Sequence, residues 1–377
     1  MKSRRTYLDF AAATPLSSGV VRAYTKALSL YGNPSAPHKE GRDAREALEG
    51  ARARIAHTLT VKAEEILFTS GGTESNTLAV LGTPRGHCVT TTLEHSSLRA
   101  SFKKREELGS RVTYVKPSAD GLISVESIVA ALRPNTVLVS VHHVQSECGA
   151  VQRVSDISRA IKKVNPKIIF HVDAAQSPLW VESGPHALGA DLVTYDAQKV
   201  GGPKGVGLLY RNFDTPLTPI LGGGTQERSL RPGTENAPAI VAAAVAFQEA
   251  HTGRRARAEK VKALRNELMK QCIELVPEAL VLGTVKQRVA NNLFMALPGI
   301  DGDYLAVLMD THGVAVTPRS ACLGTGGAVS ETAFALTNDE SLAACTIRFT
   351  LGPSTKLSDI KHAVRALMQS LLVLRKG

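Results

Sequence analysis

A chain of 377 residues with 43% hydrophobic content is too long for one small core, and a large domain beside a smaller one is the natural split. No apolar run is long enough to span a bilayer as a helix, residues 1–5 are expected to lead straight into a strand without a signal peptide, and five cysteines without metal spacing fit a reducing cytoplasm better than a disulfide framework. The net charge of +11 suits acidic protein partners or tRNA, yet no nucleic-acid motif accompanies it, so direct nucleic-acid binding is not expected.

Residues 41–56 carry apolar side chains at helical spacing. Ile66-Leu-Phe-Thr69 reads as a strand running into the turn Ser70-Gly-Gly-Thr-Glu-Ser75 and then a helix from Asn76. A helix start of this kind offers free N–H groups and a dipole that attract phosphate. Val89-Thr-Thr-Thr-Leu-Glu-His95 ends in a histidine, whose flat ring can stack on a planar ligand and relay protons. Lys167-Ile-Ile-Phe-His-Val-Asp173 is a buried-strand pattern that terminates in a carboxylate, with Gln176 just beyond. Asp191-Leu-Val-Thr-Tyr-Asp-Ala-Gln-Lys199 is another apolar run, broken by a polar turn with a lysine past its end, and a glycine-rich segment leads on to a further strand.

This rhythm to about residue 245 implies an α/β fold, a mostly parallel seven-stranded sheet with helices on both faces. Pro238 suits the first turn of a helix reaching about Ala250, and the basic stretch from Arg254 to Lys262 reads as a solvated helix face. Asn291-Asn-Leu-Phe-Met-Ala-Leu-Pro298 and Cys345-Thr-Ile-Arg-Phe-Thr-Leu351 read as strands, and Lys356 to Leu374 as a long amphipathic helix. The expected units are residues 13–245 and an α+β domain of residues 246–377.

Ligands of open α/β sheets bind beyond the carboxyl ends of the strands. A partly desolvated Lys199 there is a nucleophile towards carbonyls, and Asp173 can keep a pyridine nitrogen protonated, which makes the ring an electron sink. Each feature alone has a bland reading as a core residue, a surface lysine or a turn. Together, in the order phosphate turn, His95, Asp173 and Lys199, they are what a lysine-bound pyridoxal phosphate requires. Cys322 lies in Pro318-Arg-Ser-Ala-Cys-Leu-Gly-Thr-Gly-Gly-Ala328, a small, glycine-rich stretch expected to be mobile, close to Arg319. A thiol in that setting is exposed and partly ionised, hence nucleophilic. The other four cysteines, Cys88, Cys148, Cys272 and Cys345, read as buried on helices or strands.

The chain resembles the cysteine desulfurases of the class V aminotransferase group, pyridoxal-phosphate enzymes of fold type I. The resemblance runs nearly end to end, from Tyr7-Leu-Asp-Phe-Ala-Ala-Ala-Thr-Pro15 through Gly32-Asn-Pro-Ser-Ala-Pro-His38, Thr69-Ser-Gly-Gly-Thr-Glu-Ser75, Leu93-Glu-His95 and His171-Val-Asp-Ala-Ala-Gln176 to Arg231-Pro-Gly-Thr-Glu-Asn236, Arg319-Ser-Ala-Cys322 and Arg348-Phe-Thr-Leu-Gly352. It implies that Lys199 bonds the cofactor aldehyde, Asp173 pairs with the ring nitrogen, Gln176 bonds the ring hydroxyl and His95 stacks on the ring. Gly72 and Thr73 would hold phosphate, Arg348 would clamp the substrate carboxylate with Asn33 nearby, and Thr234 would reach the phosphate of the other subunit in a homodimer. Residues 1–12 would join the small domain.

Cys322 coincides with the family's sulfur acceptor. The implied reaction takes L-cysteine to L-alanine with a persulfide on Cys322, passed to a scaffold or tRNA-thiolation enzyme, with possible contact to an iron–sulfur cluster. Other readings are a selenocysteine lyase or cysteine desulfhydrase, and a degenerate homologue serving as a platform for sulfur-transfer partners. The chain departs from the pattern at Asp196-Ala197-Gln198, where the family has Ser-Gly-His, and at Ser146, where it has Asn. The Asp196 carboxylate is expected to turn away from phosphate, or to be held by the Gln198 amide, Arg231 or a backbone N–H.

Overall fold

The computed structural model describes residues 4–318 and 329–374, so Arg319 and Cys322 lie outside the described residues. Strand β1 (Thr6–Tyr7) is followed by β2 (Ile66–Thr69), β3 (His87–Thr91), β4 (Val112–Val115), β5 (Thr136–His142), β6 (Ile169–Asp173), β7 (Leu192–Asp196) and β8 (Gly207–Arg211). Later in the chain come β9 (Leu280–Val281), β10 (Asn292–Ala296), β11 (Val314–Ala315) and β12 (Thr346–Thr350).

Seven of these form one sheet in the order β2-β8-β7-β6-β5-β3-β4. The pairs from β7 through β4 are parallel, and β8 is antiparallel to both β2 and β7. The reason for the reversal is local: the connection from β7 to β8 is a tight turn and loop, too short for the helical crossover that a parallel neighbour needs. Every residue of β6 and β7 is buried, as expected of strands covered on both faces, and Phe170, Val172, Val193 and Tyr195 sit in the main core.

Helix Lys39–Leu59 packs on helix Ala237–His251, whose alanines allow close approach. Pro238 stands in the first turn of the latter, where its missing N–H costs nothing, and the Asn236 side chain accepts from Ala239 N–H. Helix Arg254–Leu275 carries the basic stretch on a largely exposed face.

Beyond the large sheet, β9, β10 and β12 form an antiparallel sheet, and β1 pairs in parallel with β11. The N-terminal segment is tied to these C-terminal strands: Leu8 N–H donates to Ala315 O at 2.9 Å, and Leu8 O accepts from Thr350 N–H at 2.7 Å. Among the described residues, no helix is long and apolar enough to cross a membrane.

Cys88, Cys148, Cys272 and Cys345 are all free and buried. Cys88 is on β3 and Cys272 on a helix, but Cys148 lies in a turn and Cys345 just precedes β12, so the expected helix or strand placement is corrected for these two. Burial pushes the Cys88 and Cys148 thiols up to about 11 and the Cys272 thiol to about 12, which keeps all three protonated and inert.

Candidate active site

The carboxyl ends of β5, β6 and β7 open into a cavity of about 170 Å³. It is lined by Gly72, Thr73, His95, Ser146, Asp173, Gln176, Asp196, Gln198, Lys199 and Arg348, which brings together most of the residues singled out in the sequence. Leu93, Val144 and Ala175 supply apolar wall.

Lys199 is placed by an abrupt end to β7. Asp196 is the N-cap of a 3-10 turn, Ala197–Val200, and Gly201 closes it in the left-handed region at φ 81°, where a glycine avoids strain. The N-terminal segment straps the turn down, with Thr14 Oγ1 donating to Lys199 O at 2.9 Å. Lys199 Nζ donates to Ala11 O and Ala12 O, each at 2.8 Å. Gln176 Nε2 donates to the same Ala11 carbonyl at 3.0 Å.

Asp173 ends β6 and is 8% exposed. Burial pushes its carboxyl above the ordinary range, against the opposing pull of the Ala175 N–H, the nearby His95 and the Asn76 amide. Asn76 also joins Asp173 to His95. Its Nδ2 donates to Asp173 Oδ2 at 2.8 Å and to Ser97 Oγ at 3.0 Å, and Ser97 Oγ lies 2.8 Å from His95 Nδ1. Ser97 N–H also donates to that nitrogen at 3.2 Å, so the network assigns Nδ1 as acceptor and leaves the ring proton on Nε2. Sequence reasoning missed Asn76 and Ser97. The available signal was spacing: Asn76 stands one helical turn after Gly72, on the same face.

A second buried network borders the cavity through His142, the last residue of β5, which is in register with Asp173. Gln152 is oriented by accepting from Ile123 N–H at 2.9 Å and donating to Gly121 O at 2.8 Å. Its Nε2 therefore donates to His142 Nε2 at 3.2 Å, which places the His142 proton on Nδ1, 3.0 Å from Glu94 Oε1. His142 has the same strand-end position as Asp173 and was legible on that ground, but was not picked out.

At the start of helix Gly72–Leu81 the first N–H groups have no helical partner. Asp196 is held there: Oδ1 accepts from Gln198 N–H at 3.1 Å, Oδ2 from Gln198 Nε2 at 3.1 Å and from Gly72 N–H at 3.4 Å. The carboxylate is thus held by two of the expected donors but still lines the cavity. Arg231 is not one of them; its Nε donates to Glu74 Oε1 at 3.0 Å. Burial would raise the Glu74 carboxyl, but Ser70 and Arg231 outweigh it and hold it low.

Arg348, on β12, is 2% exposed. It donates from Nη2 to Asp9 Oδ1 at 3.0 Å and from Nη1 to Ser146 O at 2.9 Å, while its buried Nε–H has no partner in the described structure. A guanidinium at a cavity wall suits a carboxylate ligand. Ser146 contributes its carbonyl as well as cavity surface. Asn33 and Thr234 do not line the cavity: both are exposed, and Asn33 Oδ1 accepts from Ser35 N–H at 2.9 Å within its own loop.

The chain matches the Aminotransferase class-V family over residues 6–362. It belongs to that family, whose members work with pyridoxal phosphate. Within it the chain is similar to the cysteine desulfurase IscS of Dictyoglomus turgidum, 33% identical over 379 residues that cover 99% of this chain and 96% of that protein. Among solved structures, it is similar to a NifS-like protein with a TM-score of 0.91 at 29% identity, covering 98% of this chain and 100% of the other. It is also similar to SspA in complex with cysteine, with a TM-score of 0.81 at 32% identity over 93% of this chain and 100% of that one.

The residues present fit the cofactor. A buried carboxylate suits a protonated ring nitrogen, Leu93, Val144 and Ala175 suit a flat ring, an amine stands at the end of β7, and a helix N-terminus suits phosphate. Asp196 is the one element at odds with an anionic ligand.

Proposed function

We propose that this protein is a pyridoxal-phosphate-dependent cysteine desulfurase that converts L-cysteine to L-alanine, leaves a persulfide on Cys322 and passes that sulfur to an acceptor protein. The observation that carries the reading is the convergence of the Lys199 amine, the buried Asp173 carboxylate and the Arg348 guanidinium on one cavity. Lys199, Asp173, Gly72 and Thr73 would hold the cofactor, which when bound supplies an electron sink next to the substrate α-carbon.

The protein's own groups do the rest. Lys199 Nζ leaves the Ala11 and Ala12 carbonyls to bond the aldehyde and, once displaced by substrate, is the base for the α-proton. Arg348 receives the substrate carboxylate on its guanidinium and fixes which bond faces the base. The Cys322 thiolate attacks the substrate sulfur. The carbon–sulfur bond breaks, a sulfur–sulfur bond forms on Cys322, and the former β-carbon gains a proton to become the alanine methyl. His95, with its proton on Nε2, serves proton transfer around the thiols.

The active unit in this reading is a homodimer in which the exposed Thr234 reaches the neighbour's phosphate. Residues 13–245 form the large unit, and residues 1–12 with 246–377 the small one. The acceptor serves iron–sulfur assembly or tRNA thiolation. Borohydride treatment in the presence of pyridoxal phosphate tests the reading. It should trap the cofactor on the Lys199 peptide, and L-cysteine should yield alanine with added sulfur on the Cys322 peptide. An unchanged trapped peptide in Lys199→Ala overturns the anchor, and release of free sulfide without a protein persulfide overturns the desulfurase chemistry.

A further inference from the structure

Asp196 lies on the helix start that would take the cofactor phosphate. Its Oδ2 accepts from the Gly72 N–H at 3.4 Å, and a Cβ built on Gly72 would lie 3.3 Å from that oxygen, so the carboxylate is packed onto the helix start. Two contacts from Gln198 clamp it from the other side, and at 8% exposure it cannot swing into water without losing them. A helix N-terminus attracts anions through its dipole and its free N–H groups. A carboxylate already on those groups cancels much of that attraction, and it repels a second anion at a few ångströms across a partly buried site.

Nor do the described residues supply a compensating cation. Among the described residues lining the cavity, the only Lys and Arg are Lys199 and Arg348, and these face Ala11 and Ala12 and Asp9 respectively. Arg231, the donor expected from the sequence, is committed to Glu74.

We infer that Asp196, clamped by Gln198, is an affinity-determining residue that competes with the cofactor phosphate for the start of helix Gly72–Leu81. Cofactor retention then depends on the bond to Lys199 and the contacts to the ring, and the phosphate contributes little. The inference rests on the pyridoxal-phosphate reading and deepens it. It assigns the weak element of the site to one side chain.

The test compares two probes, pyridoxal phosphate and pyridoxal, which differ only in the phosphate. Their dissociation constants are measured by equilibrium dialysis on the wild type, Asp196→Asn and Asp196→Ser, with circular dichroism to establish folding. Asn keeps the shape of the side chain and a carbonyl acceptor for Gln198 but removes the charge. Asp196→Asn should bind pyridoxal phosphate about ten- to hundredfold more tightly, with pyridoxal unchanged to within about twofold. Asp196→Ser, which also removes the carboxylate, should move in the same direction.

Unchanged or weaker pyridoxal phosphate binding in both variants overturns the inference and makes Asp196 a matched part of the phosphate site. An equal gain for both probes also overturns it, because the effect then lies away from the phosphate. Failure of the wild type and both variants to bind either probe, with no borohydride adduct on Lys199, would instead sink the cofactor reading and this inference with it.

Discussion

Replacing Asn76 by Ala tests the link between Asp173 and His95. The substitution removes the donor 2.8 Å from Asp173 Oδ2 and the donor 3.0 Å from Ser97 Oγ. A hydrogen bond to a charged group is worth about 1.5–3 kcal/mol, and about 1.4 kcal/mol corresponds to one pH unit of titration. Burial already raises the Asp173 carboxyl and the Asn76 amide opposes that, so losing the amide favours the protonated form further.

Capture of a cofactor with a protonated ring nitrogen needs Asp173 ionised. Pyridoxal phosphate affinity should therefore fall on the acid side, and in Asn76→Ala that fall should begin about one to two pH units higher than in the wild type. The assay is dissociation constant against pH, followed by visible absorbance. Titration of the phosphate and the aldehyde is common to both proteins and cancels in the comparison. Ser97→Ala is the control, since it removes the hydroxyl beside His95 Nδ1 and leaves the Asn76–Asp173 bond in place. Coincident profiles for wild type and Asn76→Ala would refute the reasoning, as would an equal displacement in Ser97→Ala.

Three other outcomes are expected. Burial lowers His171 to about 3, between the Ser140 and Thr194 hydroxyls, whereas the unfolded chain protonates near 6.5, so stability should be lost as pH falls below that value. The loss reaches about 2 kcal/mol by about pH 5; urea denaturation at neutral and acid pH measures it, and His171→Gln should flatten that part of the dependence. Cys322→Ser should still bind cofactor and L-cysteine but cut alanine formation by about two orders of magnitude or more, and alanine yields equal to wild type would move the sulfur chemistry to another group. Mixing Lys199→Ala subunits with Thr234→Val subunits, both carrying Asp196→Asn so that phosphate contacts count towards affinity, should restore one intact site per heterodimer, read as cofactor binding above the sum of the parents; no gain would show that each site uses its own Thr234.

The large sheet was legible because its signal is local. Runs such as Ile169–Asp173 and Leu192–Asp196 are apolar throughout and end in a polar residue, and both the strand and the side chain presented at its mouth follow from that pattern. The turn that carries Lys199 is local in the same way, since Asp196 caps it and Gly201 ends it. What was not legible is contact between residues far apart in the chain. Arg348 meets Asp9 across 339 positions, Asp196 meets Gly72 across 124, and Asn76 meets Asp173 across 97. No period or spacing encodes such pairs.

The same distinction explains where the reading of Asp196 was incomplete. Charge repulsion alone leaves two resolutions open, a carboxylate turned out of the site or one held inside it by donors. A side chain at the end of a buried strand, with Gln198 two residues on, has its donors at hand locally, and leaving them would cost both contacts. The helix start at Gly72 offers a third N–H that only the folded sheet brings within reach. The local clamp therefore keeps the carboxylate inside the site, and the phosphate meets an occupied helix terminus. An acid at this position is thus compatible with a cofactor site of the same overall plan, but it shifts the burden of affinity from the phosphate to the ring and to Lys199.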